Sequence, residues 1–235
     1  MKANLIEFVD MEDHTPLEVY PRPAKACLPE WFKKVPTKLD VEDPYESKSA
    51  SATVKRCMPF IDAMSTGYIL LTPTDLMVER VGEHETKFSW PATPIVSFQD
   101  VRQIPGYLGE SSRREDYPKW VHPWSIRTPK GYSCLFMPPM HHPSPFRILE
   151  GVVDTDVYHE VVELPFVMKD PDFSGLIPAG TPMAQVVPIK REQFTHSVKT
   201  LEELKDKYPI KTRRKIYTWF YGAYRNHFWN KKLYS

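Results

Sequence analysis

The residues best placed to do chemistry fall in two runs, Gly151-Val-Val-Asp-Thr-Asp-Val-Tyr158 and Ala179-Gly-Thr-Pro-Met-Ala-Gln185. Asp154 could act as a general base on a water molecule if the two came within hydrogen-bond reach. Tyr158 would offer a flat face to a sugar, and Gln185 an amide in an otherwise apolar run. Such a set suits a nucleotide pocket. The same residues have a plainer use. Asp154 and Asp156 can bond their own downstream backbone in a turn, Gly180 fits a tight turn, and Gln185 can satisfy a backbone group inside a sheet. Both uses stay open at the level of sequence.

Strands must position these groups. Runs rich in β-branched, aromatic and aliphatic residues at 68–71, 76–81, 95–101, 132–137, 146–154, 161–168 and 183–190 are bounded by Pro, Gly, Asp or Ser, which predicts an antiparallel sandwich or barrel. Proline supplies 24 of 235 residues, about twice the usual share, and favours short strands joined by proline-set turns. An apolar content of 41% argues against disorder. Residues 1–50 read as a proline-rich wrapping arm with a strand at 17–20 and a helical turn at 29–34. Residues 51–195 read as the β domain, and 196–235 as a helical extension. In that extension Thr200-Leu-Glu-Glu203 has capping-box form, and a second helix is expected over 212–231 from apolar residues spaced by three and four.

Several classes are disfavoured. The formal net charge is +1, so no overall field points to nucleic acid or membrane. The aromatic and basic residues of the C-terminal segment read as a packing face. Three cysteines at wide spacing predict no disulfide framework. Without an apolar leader or a membrane-length run, a cytoplasmic setting is expected. His141 and His142, with His122, Cys134, His159 or Glu160 nearby in sequence, lack metal-ligand spacing, so no metal is expected.

Between Gly131 and Arg191 the chain resembles the dUTPase and dCTP-deaminase family of β-barrels. The likeness rests on Gly131-Tyr-Ser-Cys-Leu-Phe-Met137, Gly151-Val-Val-Asp-Thr-Asp-Val-Tyr158 and Ala179-Gly-Thr-Pro-Met-Ala-Gln-Val-Val187, with a fainter echo in Thr66-Gly-Tyr-Ile-Leu70. It implies a dUTPase-like barrel, in a homo-oligomer that could be a trimer. It also implies that Asp154 activates water or holds a sugar hydroxyl, that Tyr158 packs on deoxyribose and that Gln185 lies near phosphates. Tyr132 and Arg147 join Tyr158 and Gln185 as candidate ligand contacts. Lys190 and Arg191 could replace missing phosphate ligands. The chain departs from the family in having one extra residue between Asp154 and Tyr158, in carrying Pro139-Met-His-His-Pro143 where the family has its Arg-Ser turn, and in lacking a glycine-rich closing arm.

The whole chain also looks like a family of uncharacterised phage and bacterial proteins, on Lys55-Arg-Cys-Met-Pro-Phe-Ile-Asp62, Thr128-Pro-Lys-Gly-Tyr-Ser133 and the two runs above. The expectation is therefore a non-catalytic binding or assembly module without a cofactor. The alternatives are a deoxynucleoside triphosphate hydrolase using Asp154, in which case magnesium enters, and a virion structural protein.

Overall fold

The computed structural model describes residues 4–13, 15–39, 52–82, 86–103, 116–200, 202–204 and 223–234. It is mainly β, as expected, and every strand pairing is antiparallel. The barrel does not close among the described residues. Fourteen strands instead form four sheets, of five, four, three and two strands.

The five-stranded sheet runs, in spatial order, β11 (Gly151–Val153), β9 (Tyr132–Met137), β14 (Pro182–Lys190), β3 (Tyr68–Leu71) and β2 (Arg22–Pro23). β10 (Phe146–Ile148), β12 (Leu164–Met168), β7 (Asp116–Trp120) and β6 (Val96–Asp100) form the four-stranded sheet. β13 (Gly175–Ile177), β4 (Leu76–Arg80) and β5 (Thr86–Ser89) form a third, and β1 (Glu7–Asp10) pairs β8 (Trp124–Arg127).

The run 146–154, expected as one strand, shows why no barrel forms. Phe146–Ile148 pairs with β12 and Gly151–Val153 with β9, so the chain turns a corner between two sheets at Leu149 and Glu150. The expected strand at 17–20 is a single 3-10 turn over Leu17–Val19, set up by Pro16 and Pro21 on either side. The expected helical turn is present as α1 (Glu30–Lys34), with Pro29 at its N-cap. β1 and β2 tie the described part of the N-terminal arm to β8 and β3. Helix α2 (Met58–Ser65) carries Met64, which is fully buried.

Side chains alternate along a strand, so the two faces of the five-stranded sheet differ. One face sends Leu70, Ala184, Val186, Cys134 and Phe136 into the main core. There Trp120 stacks on Phe166 at 4.7 Å and tilts against Phe146 at 5.0 Å. Full burial of each such ring stabilises the fold by about 2–3 kcal/mol. The other face sends Ile69 and Leu71 into a smaller cluster with Val19 and Ala24.

The C-terminal extension differs in detail. Glu203 accepts from Thr200 N at 2.6 Å, as a capping box does, but the helix beyond 204 lies outside the described residues. So does the start of the second expected helix. Its described part, α3 (Ala223–His227), stops short of residue 231. Asp62 on α2 accepts from Trp229 Nε1 at 2.8 Å and Lys232 Nζ at 2.7 Å, and this docking replaces the last helical turn. No described helix is long and apolar enough to cross a membrane.

Gly67 has φ +73°, and a Cβ there would sit 2.2 Å from the Val186 carbonyl oxygen. Gly131 has φ +86° with open space around it. Gly131→Ala should cost only backbone strain, about 1–2 kcal/mol. Gly67→Ala should cost clearly more, because β3 and β14 must also separate. Urea unfolding of both variants checks this, and equal losses would rule out a steric role for Gly67.

Candidate functional site

The pairing of β9 with β14 aligns Gln185 with Met137 and Lys190 with Tyr132, while β11 sets Val153 opposite Cys134. Continued one residue, these registers bring Ser133, Asp154 and Arg191 together at one end of the sheet. Ser133 Oγ donates to Asp154 Oδ1 at 2.6 Å. Arg191 Nη1 reaches Asp154 Oδ1 at 3.1 Å, Asp156 Oδ1 at 2.9 Å, Ser133 Oγ at 3.0 Å and the Tyr132 carbonyl at 2.9 Å. Arg191 Nη2 donates to Asp156 Oδ2 at 2.5 Å. Gly131 N adds a bond to Asp156 Oδ2 at 2.8 Å.

One guanidinium thus joins two carboxylates across three strands. Its hydrogen bond holds the Asp156 carboxyl at about 2, with help from the Gly131 amide, and Asp156 in turn raises the pKa of Arg191. The side chains of Asp154 and Asp156 bond across strands. The local turn is closed by backbone, with the Asp154 carbonyl accepting from Val157 N at 3.0 Å and Tyr158 N at 2.9 Å.

The remaining candidates are dispersed. Gln185 is fully buried. Its Oε1 accepts from Met140 N at 2.9 Å, and its Nε2 donates to the carbonyls of Ala63 (2.9 Å) and Thr66 (2.6 Å). It stands four residues from Ile189, the partner of Ser133, or roughly 13 Å along the strand. Arg147 lies on β10, in the four-stranded sheet. Tyr132 turns its side chain away from Ser133, and its hydroxyl accepts from Asn4 Nδ2 at 2.7 Å. Lys190 pairs with Glu192. His141 adopts φ +61° and stacks on Phe60 at 3.8 Å, and its carbonyl accepts from Trp31 Nε1.

Tyr158, 46% exposed, faces a different place. It lines a cleft of about 620 Å³ with Met11, His122, Val153, Val161 and Glu163. Thr155 and Ser125 position this wall. Thr155 Oγ1 lies 2.8 Å from Thr128 Oγ1, and Ser125 Oγ donates to the His159 carbonyl at 2.5 Å. His122 is almost fully buried, and burial lowers its pKa to about 4 against a smaller opposing pull from the Val162 backbone. Its Nδ1 accepts from Trp124 N at 3.2 Å, which leaves the proton of the neutral ring on Nε2. Nε2 completes no hydrogen bond among the described residues. Glu163 is ion-paired to Lys119. The lining includes Glu12 and Glu163 and no lysine or arginine, so it is poorly suited to a triphosphate.

Sequence reasoning named Asp154, Tyr158 and Arg191 but did not join Ser133 or Asp156 to them. Only strand register brings those two in. His122 had no motif to mark it as a cleft residue.

Two predictions follow from these contacts. Gln185→Leu strands one buried amide and two carbonyls, so it should destabilise by roughly 3 kcal/mol, each such group costing about 1–3 kcal/mol. Unchanged urea stability would contradict a structural role. The second concerns pH. His122 stays neutral in the fold while the unfolded chain takes up its proton near 6.5, so stability should fall by on the order of 3 kcal/mol as pH drops from 6.5 to 4. Asp156 is ionised in the fold down to about 2, against 3.8 unfolded, so its contribution is present above pH 4 and is lost between 4 and 2. His122→Asn should flatten the first window only. Asp156→Asn should reduce the second, with Asp100, also held at about 2 by Arg102, keeping part of it. Urea melts at several pH values measure both.

The chain matches no protein-family model and no curated protein.

Proposed function

We propose that the chain is a non-catalytic binding and assembly module, built on a dUTPase-like arrangement of strands that has opened into separate sheets. What carries this reading is the division between Asp154 and Tyr158. Asp154 is engaged by Ser133 and Arg191 in a cluster that neutralises its own charges. Tyr158 turns to a cleft lined by two glutamates and a neutral histidine. A general base must be free to reach its water, and a phosphate ligand needs cations not already paired with carboxylates.

The cleft favours a small neutral or cationic molecule. A flat apolar part would lie on Tyr158, and an acceptor would take the hydrogen bond offered by His122 Nε2–H. The likeness around Gly131, Gly151 and Ala179 supports descent from a nucleotide-binding sheet, which makes an uncharged deoxynucleoside a suitable probe. Exposed apolar side chains at Val152, Val157 and Ile189 support the assembly half of the reading.

Calorimetric titration with deoxynucleosides and with deoxynucleoside triphosphates, with and without magnesium, tests both halves of the ligand reading. Deoxynucleosides should bind more tightly than triphosphates. Tyr158→Ala should weaken them about tenfold, the loss of one stacking contact worth about 1–3 kcal/mol. No triphosphate should be turned over. Hydrolysis abolished in Asp154→Ala would instead establish the nucleotide enzyme.

A further inference from the structure

After β14 the chain leaves the sheet and runs through residues 191–200 fully exposed, in neither helix nor strand. Its composition is unusual for such a segment. In extended chain, alternation puts Phe194, His196 and Val198 on one side and Gln193, Thr195, Ser197 and Lys199 on the other. Phe194 is 86% exposed and Val198 94% exposed. This is the pattern of a half-buried strand without a sheet.

The five-stranded sheet offers a matching surface. β11 is its edge strand, and edge strands present backbone groups to which an extended segment can pair. On the outward face Val152, 60% exposed, lies beside Leu135, which lies beside Val187, with exposed Ile189 two residues on. The strip from Val152 to Ile189 spans about 12 Å, taking two strand spacings across and two residues along. Phe194 to Val198 spans about 13 Å when extended.

The segment does not meet its own strip. Arg191, held by Asp154 and Asp156, directs the chain off the end of β14. At that same end the turn after β11, over residues 154–158, stands between the departing chain and the β11 edge.

We infer that residues 192–199 are an exchange arm: in solution they add as a strand to edge β11 of a second copy of this chain, seating Phe194 and Val198 against its Val152 and Leu135. This rests on the assembly reading above and names the contact that makes it. The partner is a second copy because the chain itself carries both the arm and the uncovered strip, and neither satisfies the other within one molecule.

Sedimentation velocity and disulfide trapping of the full chain test the inference. The wild type should be larger than a monomer at tens of micromolar. Phe194→Asp with Val198→Asp, and separately Val152→Asp, should each weaken self-association at least tenfold with circular dichroism and Tm unchanged. For trapping, Cys57→Ser removes the exposed native thiol. A population carrying Val152→Cys, mixed with populations carrying Phe194→Cys or Val198→Cys and oxidised, should give disulfide-linked dimers of one chain from each population. An oligomer that survives these substitutions and yields no mixed cross-link overturns the arm contact and leaves the assembly reading standing. A wild type that is monomeric throughout, with cross-links formed only within a chain carrying both cysteines, overturns both.

Discussion

The pairing of β9 with β14 is the constraint on which the rest of the molecule depends. Six residue pairs, from Gln185 opposite Met137 to Lys190 opposite Tyr132, set which side chains share a face. A slip of one residue would turn Gln185 into the main core and Val186 out of it. The opposite slip is equally costly, because Gln185 is locked by three hydrogen bonds to Met140, Ala63 and Thr66. A buried amide is expensive unless satisfied and specific when it is. Gln185 therefore acts as a register pin, and α2 and the turn over 138–143 are placed by it.

From that register the two ends of the sheet acquire different characters. Near Gln185 the outward face is covered by α2. Near Arg191 it is open, and the guanidinium joins the ends of three strands through Asp154, Asp156 and the Tyr132 carbonyl. This cluster is largely exposed, where ion pairs contribute little individually. Its effect is geometric: it closes the turn after β11, sends Tyr158 to the cleft and releases the chain beyond Arg191 away from its own sheet.

The cleft and the cluster illustrate how environment divides similar residues into different roles. His122 is neutral because it is buried, and Asp156 is charged because a cation and an amide face it. Asp154 and Tyr158 are four residues apart, yet the turn between them places one in an ionic clasp and the other on an apolar wall.

Much of the local structure was legible in the residues. β3 and β9 fall at the expected positions, β14 begins one residue early, and Pro29 opens a helical turn as proline at a helix start should. These follow from backbone preferences and period-two patterning, which act over a few residues. The corner at Leu149 and Glu150 was not legible, because an apolar run looks the same whether it stays in one sheet or crosses to another. Nor was the end of α3, where Asp62, distant in sequence, takes Trp229 and Lys232. The sequence by itself determined that the chain would be antiparallel and β-rich, and that Asp154, Tyr158 and Gln185 would stand at strand ends or within strands. Only the tertiary structure decided that these three would not share a pocket, because register and sheet membership are set by contacts between residues far apart in the chain.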